Sequence, residues 1–172
     1  MGNLEKNIAI NAENRADFAR IANWIAPNAK VLDLGCGDGS LLTQLRKTHN
    51  IRGYGVEKDD ANWLKAMNNG VDVIQMDLES GLSGFEAKSF DVVILSQTLQ
   101  AVLNTEAIVH EMLRVGREAI VTFPNFGYWR HRIQSIAGRM PVSDNLPYQW
   151  YDTPNVHLCT IKDFDEFCRK GN

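Results

Sequence analysis

The residues best placed to do chemistry lie in one run, Val31-Leu32-Asp33-Leu34-Gly35-Cys36-Gly37-Asp38-Gly39. A short apolar stretch that ends in a glycine-rich turn and leads into a helical pattern puts the turn at the carboxyl end of a strand, where open α/β sheets bind their ligands. Gly35 and Gly37 lack the Cβ atoms that would hold a ligand away from the backbone. The spacing G-x-G-x-G departs from the dinucleotide pattern G-x-G-x-x-G, because Ser40 stands where the third glycine would be, and no lysine follows as in a phosphate-binding loop. Asp33, two positions before the first glycine, would repel a pyrophosphate and suits a cationic ligand. Structural βα turns also use glycine, so the glycines alone leave both readings open.

Further acids follow in order. Glu57 ends the second strand, 18 residues after Gly39. A carboxylate there can accept both hydroxyl protons of a ribose. Asp77 ends the third strand and is followed by Leu78. Each of these acids alone could be a solvated loop residue, but acids at three successive strand ends favour a ligand site. Other chemistry is thinly represented. The three cysteines, Cys36, Cys159 and Cys168, have no paired spacing, and His157 with Cys159 is too isolated for a metal site, so no metal is expected. His131, Tyr128, Tyr151 and His157 are the candidate general bases; their reach to a proton is not readable from sequence, and none is assigned a catalytic role. His110 falls between the inner positions of a helix and His49 in a turn.

Composition narrows the classes. The chain has 172 residues, 18 basic and 21 acidic, for a formal net charge of -3, which argues against a nucleic-acid protein. That length suits a single domain, residues 1–172, able to bury about 70% of the surface its unfolded chain exposes without disulfide or metal staples. No apolar run reaches the ~18 residues of a membrane span. The polar start Met1-Gly2-Asn3-Leu4-Glu5-Lys6 is no signal peptide and misses the myristoylation pattern. With the odd cysteine count, a cytoplasmic location is expected.

The elements that must position these residues alternate. Residues 12–25 read as an amphipathic helix carrying Phe18, Ile21, Ala22 and Ile25, with Asn11 as N-cap and Pro27 blocking continuation. Strands are expected at 31–34, 54–56, 71–76, 90–95 and 119–123. Helices between them carry Leu41, Leu42 and Leu45; Trp63, Leu64 and Met67, capped by Asp59 or Asp60; and Ile108, Val109, Met112 and Leu113 on the inner side, capped by Asn104 or Thr105. Strands alternating with helices predict an α/β fold with a mostly parallel sheet and helices on both faces. After Pro124 comes an aromatic-rich excursion, 124–160, with one helix at 128–137. Thr160, with Asp163 three residues later, reads as a capping box opening a last helix through Phe164, Phe167 and Cys168.

The run VLDLGCGDG resembles the first motif of the class I S-adenosylmethionine-dependent methyltransferases, a Rossmann-like fold. The resemblance implies S-adenosylmethionine or S-adenosylhomocysteine as the ligand. It implies a loop, Gly35, Cys36 and Gly37, packed on the methionyl part, with Asp33 holding the amino group. It further implies Glu57, beside Lys58, on the ribose, Asp77 and Leu78 at the adenine, and Ser96 and Gln97 in the pocket floor. Ser96-Gln97-Thr98-Leu99 is not the Asn-Pro-Pro-Tyr type of motif used on amide or exocyclic nitrogens, and Asn125 follows the wrong strand for it.

A narrower resemblance, from about residue 15 to the end, is to the methionine biosynthesis protein MetW family. It rests on Leu95-Ser96-Gln97-Thr98-Leu99-Gln100-Ala101, Phe123-Pro124-Asn125-Phe126-Gly127-Tyr128-Trp129, Gly138-Arg139-Met140-Pro141-Val142 and the run from Leu146 through Trp150 to Asn155, with His157-Leu158-Cys159-Thr160. It implies support or activation of the homoserine O-acyltransferase MetX in methionine synthesis. The alternative is a genuine small-molecule methyltransferase. The excursion reads as an interface, an acceptor pocket or a packed lid. Class I sheets have seven strands, the last two forming a hairpin; with five strands and a last helix capped by Gly171, the C-terminal hairpin is expected to be missing and the fifth strand to be an edge.

Overall fold

The computed structural model describes residues 16–144 and 146–170. The expected Asn11 and Gly171 caps lie outside the described residues.

Helix α1, Ala16–Ala22, buries Phe18 and Ile21, and Ile25 follows it into the core. Strand β1, Lys30–Leu34, then enters the sheet, and the glycine loop joins it to α2, Ser40–His49, whose buried face is Leu41, Leu42 and Leu45. Strand β2, Arg52–Glu57, precedes α3, Asp60–Asn68, which opens where the Asp59 carboxylate accepts the Asn62 N–H at 2.9 Å. Such a cap satisfies a donor the first helical turn leaves free. Strand β3, Asp72–Gln75, is short and largely exposed. Strand β4, Phe90–Ser96, is buried on both faces, as a continuous apolar strand in a parallel sheet must be. Helix α4, Thr105–Val115, is capped by the Asn104 side chain and runs directly into β5, Gly116–Thr122. Beyond it lie α5, Trp129–Ile136, and α6, Ile161–Lys170.

The five strands are ordered β3-β2-β1-β4-β5, and every neighbouring pair is parallel. The chain returns across β1 to place β4, so β1 and β4 are the neighbours between which the strand order reverses. Alternate side chains of the central strands feed two apolar layers. Val31, Val92 and Ile94 meet Ile21, Leu42 and Leu45 on one face. Leu32, Leu34, Val93 and Leu95 meet Ile108, Met112 and Val115 on the other. Each such fully buried side chain contributes about 1.5–3 kcal/mol relative to exposure. Leu113 departs from expectation. It is 47% exposed, because the core stripe of α4 is Ile108, Met112 and Val115. No helix among the described residues is long and apolar enough to cross a membrane.

Thr160 and Asp163 form the reciprocal cap read from sequence: the Asp163 carboxylate accepts the Thr160 N–H at 2.9 Å and the Asp163 N–H donates to the Thr160 hydroxyl at 3.2 Å. The Thr160 hydroxyl, donating to the same carboxylate at 2.7 Å, and then the Thr160 N–H hold the Asp163 carboxyl below the usual carboxylate range. The helix it opens places Phe164 against Phe123, ring centroids 5.1 Å apart.

Candidate ligand site at the strand ends

The loop after β1 turns on left-handed glycines, with φ of +70° at Gly35 and +57° at Gly37. The two glycines serve different ends. A Cβ on Gly35 would stand 2.8 Å from the Thr98 hydroxyl oxygen, so the β1 loop and the segment after β4 touch there. A Cβ on Gly37 would meet nothing within 4 Å and would project into open space. That open backbone surface is what a ligand lying on the loop requires.

Glu57, half-buried at the end of β2, fastens the loop. Its Oε2 accepts the Gly37 N–H at 2.8 Å, and its Oε1 accepts the N–H groups of Lys58 and Asp59 at 2.9 Å each. Asp33 is buried on β1, paired in register with Gly55 on β2 and Ile94 on β4. Cys36 sits between these acids. Burial, then the charges of Asp33 and Glu57, push its thiol up to about 12. It remains a neutral, buried side chain, and its sulfur fills the place a side chain at Gly55 would take: a Cβ there would be 2.5 Å from Sγ. No group of three His, Cys, Asp or Glu side chains among the described residues is arranged to hold a metal ion.

Asp77 lies beyond the end of β3, which stops at Gln75. It caps a short 3₁₀ turn, Leu78–Ser80, and its carboxylate meets the Lys58 ammonium at 2.6 Å on the surface. That hydrogen bond lowers the Asp77 carboxyl and raises the Lys58 ammonium from their ordinary values. The Lys58–Asp77 pair thus ties the end of β2 to the end of β3, while Leu78 packs half-buried against the α4 side of the core.

After β4, Gln97 adopts a left-handed backbone with φ of +54°, a conformation that costs a non-glycine residue of order 1–3 kcal/mol and concentrates at functional sites. Its N–H donates to the Thr122 carbonyl at 2.9 Å, and Ser96 and Thr122 hydroxyls lie 3.2 Å apart. Thr98 and Thr122 were not singled out by sequence, because their part rests on contacts between strands that no local pattern reports. The Gln100 carbonyl receives the N–H groups of Val156 and His157 at 2.8 and 3.0 Å, mooring the excursion over the strand ends. Beside this mooring opens a groove of about 490 Å³, walled by Leu99, Leu103, Phe123, Leu158 and Phe164.

Of the suggested bases, His131 is buried. Its Nδ1–H donates to the Asn125 carbonyl at 3.0 Å, and its Nε2 lies 2.9 Å from the Ser143 hydroxyl. Both ring nitrogens are engaged in holding the excursion together. The His157 Nε2–H donates to the Leu103 carbonyl at 3.1 Å beside the groove. Tyr128 and Tyr151 are exposed.

Sheet order, switch point and glycine loop together define the fold of the class I S-adenosylmethionine-dependent methyltransferases. An S-adenosylmethionine-dependent methyltransferase from Thermotoga maritima, described as a possible histamine N-methyltransferase, superposes with a TM-score of 0.66 at 19% identity, over 90% of this chain and 68% of its own. One from Archaeoglobus fulgidus gives 0.66 at 17% identity, over 91% of this chain and 66% of its own. The chain belongs to the family of the methionine biosynthesis protein MetW, whose model matches residues 15–172. A curated relative, the bifunctional methionine biosynthesis protein MetXA/MetW of Rhodopirellula baltica, is 42% identical over 157 residues, covering 86% of this chain. The match spans 25% of that relative's own length.

Proposed function

We propose that the chain binds S-adenosylmethionine or S-adenosylhomocysteine at the β1 loop and supports or activates a homoserine O-acyltransferase in methionine biosynthesis. The observation that carries the partner is the relative in which a MetXA portion and a MetW portion share one polypeptide. Fusion fixes two activities at a high effective concentration, which is useful where the two proteins act together.

The site residues fit the cofactor. The bare surface at Gly37 accepts the methionyl part, and the buried carboxylate of Asp33 suits the cationic end of the ligand. In this reading Glu57 receives the ribose hydroxyls while Asp77, paired with Lys58 at 2.6 Å, and Leu78 face the adenine. Ser96 and Gln97 supply the floor from the next strand end. Cys36 contributes volume and no charge. Because this cofactor is made from methionine, its occupancy would report methionine supply to the acyltransferase.

The test is co-purification of the chain with the acyltransferase, with and without cofactor, followed by calorimetry of the cofactor into each. A complex whose affinity or acyl transfer changes with cofactor is the expected result. No complex in either condition would remove the partner from the proposal. The groove beside the mooring supports a second reading, a small-molecule methyltransferase whose acceptor enters between α4 and α6. Turnover of S-adenosylmethionine with a small acceptor, independent of the acyltransferase, would favour it.

A further inference from the structure

Helix α5 is fixed on one side and bare on the other. On the fixed side His131 is bonded to Asn125 and Ser143, and the Gln134 amide both donates to the Val142 carbonyl at 3.1 Å and accepts the Val142 N–H at 2.8 Å. On the opposite side Trp129, Ile133 and Ile136 follow the i, i+4, i+7 stripe and are 57%, 56% and 86% exposed. A continuous exposed apolar stripe of this kind marks an interaction surface.

Its borders are basic. At about 100° per residue, Arg130 and Arg132 fall on the two sides of the stripe. The Arg130 guanidinium lies 5.3 Å from the Trp129 ring centroid. Arg139 and Met140, both exposed, follow the helix end. Residues 129–143 contain no Asp or Glu, within a chain of net charge -3. Among the described residues no carboxylate pairs with any of these three arginines.

We propose that the exposed face of α5 is the surface on which the acyltransferase docks, entering an apolar groove rimmed by carboxylates. This rests on the association proposed above and adds its location and chemistry. Trp and Arg over apolar neighbours are the side chains that dominate protein interfaces, and a short stripe of i, i+4, i+7 anchors is the helix-in-groove mode. A second copy presenting the same face would set arginine against arginine, which like charges oppose. A membrane-surface helix turns a polar side to water; that side of α5 is bonded to the chain's own 125–143 segment.

The full chain is tested against the purified acyltransferase by surface plasmon resonance. Variants are Ile136→Asp, the pair Arg130→Glu with Arg132→Glu, and Trp24→Ala as a control at an exposed aromatic elsewhere. The first two are expected to weaken the complex by about tenfold or more, the scale of a hot-spot side chain. The control should bind as wild type, and thermal midpoints should not move. Wild-type affinity in both α5 variants overturns the docking face and leaves the association standing. Absence of binding by the wild-type chain overturns both. Sedimentation with phosphatidylcholine–phosphatidylserine vesicles that Ile136→Asp abolishes, with acyltransferase binding intact, assigns the face to a bilayer and overturns the proposal. A wild-type dimer dissolved by the same substitution assigns it to a second copy, with the same consequence.

Discussion

The carboxylate of Glu57 holds the amide of Gly37 at 2.8 Å, across the gap between the end of β2 and the loop after β1. The same carboxylate accepts the N–H groups of Lys58 and Asp59 at 2.9 Å each, so one side chain shapes both the loop and the turn that follows β2. Replacing Glu57 with Ala should weaken S-adenosylhomocysteine binding by about 1.5–3 kcal/mol, the worth of hydrogen bonds to a charged group. Titration calorimetry measures this directly, and unchanged affinity would remove Glu57 from the ribose.

The two loop glycines should separate stability from binding. Gly37→Ala meets open space, so it costs only the left-handed backbone of an alanine, about 1–2 kcal/mol, and should abolish or greatly weaken cofactor binding. Gly35→Ala carries the same backbone cost and in addition pushes on Thr98, so its loss in urea denaturation should be the larger. Adding Thr98→Ala should restore part of it. Equal losses for the two single variants would contradict the contact between the β1 and β4 loops.

His131 should prove structural. His131→Phe leaves the Asn125 carbonyl and the Ser143 hydroxyl without their ring partner and should destabilise the fold by about 1–3 kcal/mol. Cofactor affinity should stay unchanged. A loss of cofactor binding or acyltransferase activation with stability intact would return His131 to the functional residues.

Thiol reactivity should follow burial. The raised pKa of Cys36 keeps it protonated at pH 8, and the thiolate is the reacting form. Iodoacetamide on the folded chain should label exposed Cys168 first, half-buried Cys159 more slowly, and Cys36 only in denaturant. Early modification of Cys36, read by peptide mass spectrometry, would show that the loop opens.

Much of this arrangement was legible in the residues because its causes are local. Apolar runs broken by glycine gave the parallel strands their places, the Thr160 cap stands where its hydrogen bonds are, and at the other two helix starts the structure selects Asp59 over Asp60 and Asn104 over Thr105. The glycine loop and the position of Glu57 are likewise matters of spacing. What stayed hidden depends on partners far along the chain. Thr98 matters because it packs on Gly35, and Gln97 because Thr122 receives its N–H. Helix α5 shows the limit most plainly. The sequence yields a helix at 128–137 but not which side of it is covered; the covered side is the one with His131 and Gln134, and the 142–143 segment determines that.

The sulfur of Cys36 and the missing side chain of Gly55 occupy a single volume, shared by residues 19 apart in the chain. Neither position is free to grow alone. A methyl group at 55 would stand 2.5 Å from the Cys36 sulfur and 3.2 Å from its Cβ, so the sulfur must swing away and the loop backbone at 36 must give by a few tenths of an ångström. The shape of the loop after β1 is thus set partly from beneath, by a glycine in the middle of the neighbouring strand. Any redesign of the loop's specificity has to treat 36 and 55 as one residue in two pieces.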